Sequence, residues 1–346
     1  MKKIEVQTDN HISNILVGER IANLKNYLPS HNKVVIVTDA NIMALYGNYL
    51  SNYPIIEIGL GESNKTIQTL DDIFSRLVEL EADRSTFIVG VGGGIVCDVT
   101  GIAASLFMRG LKFGFVSTTL LSQVDASTGG KNGVNFQGFK NMIGVFNQPE
   151  FVICDIDMLK TLPENEFRSG FAEIIKAGAI KDSALFEYME QNTQKALEMD
   201  TDVLEHLVYQ SVKIKAEVVK ADEREKGERR KLNFGHTFAH SIEKLHGGLH
   251  GEAVSIGMVL ASKLSVQLGL LNKKDAERIK NLCSSMKLPV ETGPDTKDLF
   301  GPMKRDKKRE GNSIHMVLLS KIGDAQVKQV ALNDLEKLVY DLHSHF

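Results

Sequence analysis

Three cysteines in 346 residues, Cys97, Cys154 and Cys283, are too few and too scattered for a disulfide framework or a thiolate metal knuckle, which fits a reducing compartment. No uninterrupted apolar run approaches the roughly 20 residues of a membrane span, and the opening Met1-Lys2-Lys3-Ile4-Glu5 lacks the apolar core of a secretory signal. A cytoplasmic protein, neither exported nor membrane-embedded, is expected. Charge of one sign is also missing. Lys plus Arg number 41 against 44 Asp plus Glu, so no global field recruits nucleic acid, and anion binding must come from local clusters. Internal repeats and low-complexity stretches are absent too.

What is present is ample apolar content, 42% of 346 residues, enough for about two buried cores on the usual length prior. The first 160 residues alternate short β-branched runs with helical patterns, the signature of a doubly wound, mostly parallel α/β sheet. Strands are expected at Val34–Thr38, Ile55–Ile58, Phe87–Val89 and Phe151–Asp155. The apolar spacing over Thr66–Leu80 predicts an amphipathic helix. From 161 to 346 helices dominate. A helical stretch is expected over Phe167–Tyr188, a long helix from Thr201, and a strand at Ile314–Leu319. The mixed-charge run Asp222–Lys231 reads largely as solvated surface that leads into the next feature.

Two glycine-rich stretches in the first domain invite phosphate-binding readings. Gly90-Val-Gly-Gly-Gly-Ile-Val-Cys-Asp98 stands where a strand gives way to a helix, and bare backbone at a helix N-terminus suits a pyrophosphate. The dinucleotide fingerprint is not met, because Ile95 occupies the place of its last glycine and the ribose acid is missing. Such a turn can also serve tight helix packing alone. Gly129-Gly130-Lys131 looks like part of a P-loop, but Asp125 and Asn132 replace the first glycine and the magnesium-binding hydroxyl, which disfavours an NTPase.

In the second domain, Leu232-Asn-Phe-Gly-His-Thr-Phe-Ala-His240 is followed by His250-Gly-Glu252. His236 and His240, four apart, share one helix face, and the Gly247-Gly248 break can bring His250 back toward them. Imidazoles with a carboxylate suit zinc, although a half-buried helical histidine can also be a core residue. Thr237 stands where metalloprotease helices carry glutamate, so peptide cleavage is not indicated. Lys131, Lys176, Lys215, Arg229, Lys307 and Lys308 point to a substrate with several negative groups. A phosphate turn in one domain and a metal site in the other suggest a nicotinamide-linked oxidation of a metal-bound alcohol in the cleft between domains.

Taken together, the motifs resemble the 3-dehydroquinate synthase family of sugar phosphate cyclases over nearly the whole chain. The resemblance rests on Gly92-Gly-Gly94 with Asp98, Phe107-Met-Arg-Gly110, Thr118 to Asp125, Gly129-Gly-Lys131 and Lys140-Asn-Met-Ile-Gly144. It continues through Phe171 to Lys176, Lys215 to Val219, Leu232 to His236, His250-Gly-Glu252 and Asp306-Lys-Lys308. It implies NAD contacts from Asp39, Asn41, Glu62, Lys65, Gly93, Gly94, Asp98, Thr118, Thr119, Lys140 and Thr161. A divalent metal, zinc or alternatively cobalt, would be held by Glu173, His236 and His250. Here the resemblance departs from the spacing argument, since it assigns His240 to the phosphate and proton-transfer side. Substrate contacts would come from Asp125, Lys131, Asn141, Lys176, Lys215, Arg229, Asn233 and Lys307 or Lys308, with His240 and Glu225 as candidates for proton relay. Arg109 would reach the neighbouring subunit's site, which implies a homodimer.

The implied reaction turns a seven-carbon keto acid phosphate into a carbocycle through transient oxidation by NAD, phosphate elimination, re-reduction, ring opening and aldol closure, with no net redox change. Cys97, Ser117 and Asn132 depart from the family's glycine, proline and threonine, and a larger side chain at 97 is expected to crowd the pyrophosphate. Other readings are a different sugar phosphate cyclase, a metal-dependent polyol dehydrogenase, and a nucleotide-binding regulatory module without metal.

Overall fold

The computed structural model describes residues 1–8, 11–292, 296–303 and 309–341. In chain order the elements of the first part are β1 (Lys2–Gln7), β2 (Ile12–Val17), β3 (Val34–Asp39), α1 (Ala40–Leu50), β4 (Ile55–Ile58), α2 (Ile67–Glu79), β5 (Phe87–Gly92) and α3 (Gly94–Leu106). There follow β6 (Lys112–Ser117), β7 (Lys131–Phe136), β8 (Phe139–Phe146) and β9 (Phe151–Cys154). The second part has α4 (Glu164–Lys181), α5 (Ser183–Leu197), α6 (Thr201–Ala221), α7 (His236–His246), α8 (His250–Gln267), α9 (Lys273–Ser285) and α10 (Thr296–Met303). It closes with β10 (Arg309–Glu310), β11 (Ser313–Lys321), β12 (Asp324–Ala331) and α11 (Leu332–Asp341). Two compact units result, Met1–Pro163 with Leu204–Glu223, and Glu164–Val203 with Arg224–Phe346. Most of α6 thus groups with the first unit although the chain has already entered the second.

In the first unit a seven-stranded sheet has the order β1-β2-β9-β6-β5-β3-β4, parallel except for the antiparallel edge pair β1 and β2. This is the expected doubly wound sheet. Its central strands are continuous β-branched runs because both faces are covered: Val35, Ile36 and Val37 are fully buried, as are Ile88 and Val89. The chain goes from β3 outward to β4 and then returns past β3 to β5, so the winding reverses between β3 and β5. Ligands of open α/β sheets bind outside the carboxyl ends of the strands at such a reversal. There Thr38 Oγ1 donates to Val91 O at 2.7 Å and ties the two strands together. The hairpin β7–β8 was not expected, and Lys131 opens a strand rather than a P-loop helix.

The second unit is mainly helical, with an additional antiparallel sheet, β10-β11-β12, of which only β11 was expected. The stretch Phe167–Tyr188 is not one helix. Asp182 ends α4 and caps α5 by accepting from the amides of Ala184 and Leu185. Helices α4 and α8 are buried nearly all round, as expected of helices at the centre of a core. The junction of α7 and α8 depends on glycine. Gly235 takes a left-handed φ of +80°, and a Cβ on Gly257 would lie 2.2 Å from Gly235 O, so only bare backbone allows the two helices to come this close. No helix among the described residues is long and apolar enough to cross a membrane.

Candidate metal centre and nucleotide turn

Three side chains distant in sequence converge in the second unit. Glu173 on α4, His236 at the start of α7 and His250 at the start of α8 place one ligand atom each within 4.8 Å of one another. The Nε2 atoms of His236 and His250 both lie 3.6 Å from Glu173 Oε1, too far for hydrogen bonds and apt for an ion placed between them. The Glu173 side chain is 1% exposed, and neither carboxylate oxygen has a hydrogen bond of good geometry; the cation against it is Lys176, one turn on along α4. Lys176 offsets the cost of burying this carboxylate, and an ion held jointly with the two imidazoles would draw on the oxygen that faces them. The donor set, two imidazoles and a carboxylate, is that of a catalytic zinc site with a position left open.

Hydrogen bonds on the far side of each ring set the tautomers. His236 Nδ1 lies 3.2 Å from Phe234 O, and His250 Nδ1 lies 3.0 Å from Glu243 Oε1. A carbonyl and a carboxylate can only accept, so each Nδ1 donates, and Nε2 is the nitrogen that would give up its proton to a metal ion in the cluster. Burial acts to lower the His250 pKa, but the Glu173 and Glu243 carboxylates outweigh it and push the imidazole up to about 9. The backbone beside His250 is fixed as well. Gly251 N donates to Ser169 Oγ at 3.0 Å, and a Cβ there would lie 1.9 Å from Ser169 O.

The remaining candidates of this unit surround α7 or precede it. His240 stacks edge-on against His236, ring centroids 5.9 Å apart, so the pair that spacing had suggested shares a face, but His240 is not in the ligand cluster. A helix face fixes where side chains start, not where their ring nitrogens end. Arg229 is 1% exposed. Asn233 Nδ2 donates to Glu225 Oε1 at 2.5 Å, with Glu225 in a left-handed conformation of φ 58°. Lys307 and Lys308 lie outside the described residues. Glu243 was missed by the sequence reading, although its position seven residues after His236 on the same helix face was a usable signal.

The first unit gathers the nucleotide candidates at the strand ends. Asp39 closes β3 and caps α1 by accepting from Ile42 N at 3.0 Å, with Asn41 exposed on the first turn. Beyond β5, Gly93 and Gly94 leave bare backbone at the N-terminus of α3, where added Cβ atoms would press on Thr119 and Ala126 at 3.0 and 3.1 Å. Thr118 N donates to Gly92 O at 3.0 Å. Lys65 Nζ contacts Asp98 and donates to Asn141 Oδ1 at 2.6 Å, and Asn135 Nδ2 donates to Glu62 Oε1 at 2.8 Å. Burial pushes the Asp98 carboxyl above its ordinary value, against the opposing pull of Lys65. This cradle fits a pyrophosphate laid on the α3 N-terminus. Lys215 Nζ donates to Asp125 Oδ1 at 2.7 Å and to Asp125 O.

Further candidates belong to the hairpin, the turn after α3 and the segment after β9. Lys131 and Lys140 are exposed on the hairpin, and Arg109 is exposed with φ 70°. Thr161 Oγ1 is 2.6 Å from Tyr46 OH on α1. Cys97 is fully buried with Sγ 3.8 Å from Gly92 O, so its side chain faces the core rather than the turn surface, and burial raises its thiol pKa. Asn132 is likewise internal, packed against Gly101, where a Cβ would lie 2.0 Å from its Oδ1.

The chain is similar to known proteins. The family profile "3-dehydroquinate synthase N-terminal" matches residues 55–169, and "3-dehydroquinate synthase C-terminal" matches residues 170–309. A 3-dehydroquinate synthase of a Nitratiruptor species is 43% identical over 313 residues, 88% of each chain. Among solved structures, 2-deoxy-scyllo-inosose synthase complexed with carbaglucose-6-phosphate, NAD+ and Co2+ has a TM-score of 0.88 at 25% identity, covering 98% of this chain and 100% of that one. The 2-epi-5-epi-valiolone synthase ValA from Streptomyces hygroscopicus subsp. jinggangensis 5008, with NAD+ and Zn2+ bound, has a TM-score of 0.88 at 28% identity over 98% of this chain and 99% of that one.

Proposed function

The chain belongs to the 3-dehydroquinate synthase family, and from that premise we propose that it converts 3-deoxy-D-arabino-heptulosonate 7-phosphate to 3-dehydroquinate and phosphate in the shikimate pathway, as a cytoplasmic NAD- and zinc-dependent lyase. The observation that carries the reading is the convergence of Glu173, His236 and His250 on one point. Glu173, His236 and His250 would hold a divalent ion, zinc or cobalt, which would supply Lewis-acid chemistry toward a substrate hydroxyl. Bare backbone at Gly93 and Gly94 would hold NAD at the strand ends, and the cofactor would supply reversible hydride chemistry there.

The protein's own part is to bind, orient and move protons. Phe234 O and Glu243 hold the two imidazoles in the tautomer that leaves Nε2 available. Asp39, Asn41, Glu62, Lys65, Asp98, Thr118, Thr119, Lys140 and Thr161 are proposed for the cofactor, and Asp125, Lys131, Asn141, Lys176, Lys215, Arg229, Asn233 and Lys307 for the substrate's hydroxyls, carboxylate and phosphate. Buried Arg229 suits the doubly charged phosphate because a guanidinium presents a fork of donors. His240, beside His236, and Glu225, bonded to Asn233, are the proposed proton carriers. Positioning of a reactive intermediate, rather than many separate acids and bases, is the main demand.

Phosphate release from the heptulosonate phosphate with catalytic NAD tests the reading. The expected result is release that a chelator abolishes and added zinc restores, with no build-up of NADH. Accumulating NADH would identify a polyol dehydrogenase instead, and release from glucose 6-phosphate but not from the heptulosonate would identify another cyclase. A homodimer with Arg109 serving the neighbouring site is also proposed. Mixing Arg109→Ala with His250→Ala subunits, each inactive alone, should regenerate activity, and no recovery would count against the sharing.

A further inference from the structure

The structure assigns Glu243 as the positioning residue of the metal centre: a buried carboxylate at the far end of α7 that locks the His250 ring so its Nε2 meets Glu173 and His236. This rests on the metal reading above and adds a residue that is not itself a ligand.

The geometry makes the assignment specific. Glu243 follows His236 by seven residues, two turns of helix, so the ligand and the carboxylate lie on one stripe of α7. The chain then reverses at Gly247 and Gly248, both left-handed at φ 67° and 88°, which returns His250 onto the same stripe. The Glu243 side chain is 5% exposed and its Oε1 is 3.0 Å from His250 Nδ1. His250 is the more exposed of the two histidine ligands, its side chain 32% exposed against 11% for His236. His236 is held by a main-chain carbonyl that no substitution removes, whereas His250 depends on a side chain. A carboxylate behind an imidazole also raises the basicity of the nitrogen that faces the metal, and loss of such a partner typically weakens metal binding roughly 10- to 100-fold.

The test uses full-length chain and measures zinc affinity by chelator competition, the visible spectrum after cobalt loading, and the denaturation midpoint of the metal-free protein. Glu243→Ala should weaken zinc roughly 10- to 100-fold and alter the cobalt spectrum. Glu243→Gln, which keeps an oxygen able to accept from Nδ1, should recover most of the loss and restore the spectrum. A role confined to packing would shift the midpoint and leave the spectrum untouched. Should the alanine variant not fold, Glu243→Asp, which withdraws the carboxylate by one methylene, is expected to weaken zinc measurably. Parental affinity and an unchanged spectrum in every folded variant would overturn the assignment while leaving the metal reading intact. A parental chain that takes up no stoichiometric metal would overturn both.

Discussion

The nucleotide turn of the first unit and the metal centre of the second solve opposite problems. The turn is built from what is left out: Gly93 and Gly94 keep main chain bare at a helix N-terminus, and the ionic groups around it already satisfy one another, Lys65 with Asp98 and Asn141, Lys215 with Asp125. The metal centre is built from side chains on three helices: Lys176 pairs with the buried Glu173 carboxylate, while two imidazoles face it at 3.6 Å with no hydrogen bond between them. A site of the first kind stands ready without its ligand. One of the second kind is completed by its ligand, and should respond far more sharply to loss of a single residue.

The largest expected effect is therefore at His250. His250→Ala should lose stoichiometric metal and lower turnover by roughly three orders of magnitude, since a Lewis acid contributes several kcal/mol to the transition state. Its circular dichroism should stay native. Retained metal at one ion per chain would remove the contrast between the two sites.

Lys65→Met sharpens the comparison from the other side. It strands Asp98, which is 15% exposed, and should cost roughly 2–4 kcal/mol of stability at neutral pH, below the range for a wholly buried pair. Burial already holds the folded Asp98 carboxyl above its unfolded value, and losing Lys65 raises it further. A raised carboxyl pKa stabilises the fold below the unfolded pKa and loses that contribution as pH rises through the folded one. The variant's deficit should hence shrink as pH falls into the carboxylate range, measured by denaturant titration across pH. A deficit independent of pH would show that Asp98 is not the group affected.

Gly257→Ala probes the helix junction. With a Cβ directed at Gly235 O, it should cost about 1–3 kcal/mol and weaken metal binding along with stability. An unchanged denaturation midpoint would show that α7 and α8 can part without harm. The smallest effect is expected at Cys97→Ala, about 1 kcal/mol, with NAD affinity by calorimetry unchanged, because the thiol faces the core. A gain in NAD affinity would show instead that residue 97 crowds the turn.

The same contrast explains what could be read in the sequence. Strands such as Val34–Asp39 and Phe87–Gly92 announce themselves as apolar runs because they are buried on both faces, and the glycine turn is contiguous in sequence. Edge strands and the hairpin hid because Lys2, Lys3 and Glu5 in β1, and Lys131 in β7, are polar on exposed faces. The break at Asp182 is a cap that apolar periodicity cannot register. At the metal centre, spacing paired His236 with His240, and only the resemblance supplied Glu173, more than 60 residues upstream on another helix. Neighbourhood in sequence revealed the turn; convergence across α4, α7 and α8 needed the fold. Glu243 lay within sight on the histidine stripe, but nothing in the sequence shows toward which ring it points.

The most direct test of the central claim is X-ray absorption at the zinc edge of the metal-loaded chain. Two imidazoles and oxygen donors at about 2.0–2.1 Å, with no sulfur scatterer, are predicted. A sulfur shell at about 2.3 Å, or a spectrum lacking the two imidazoles, would contradict the account.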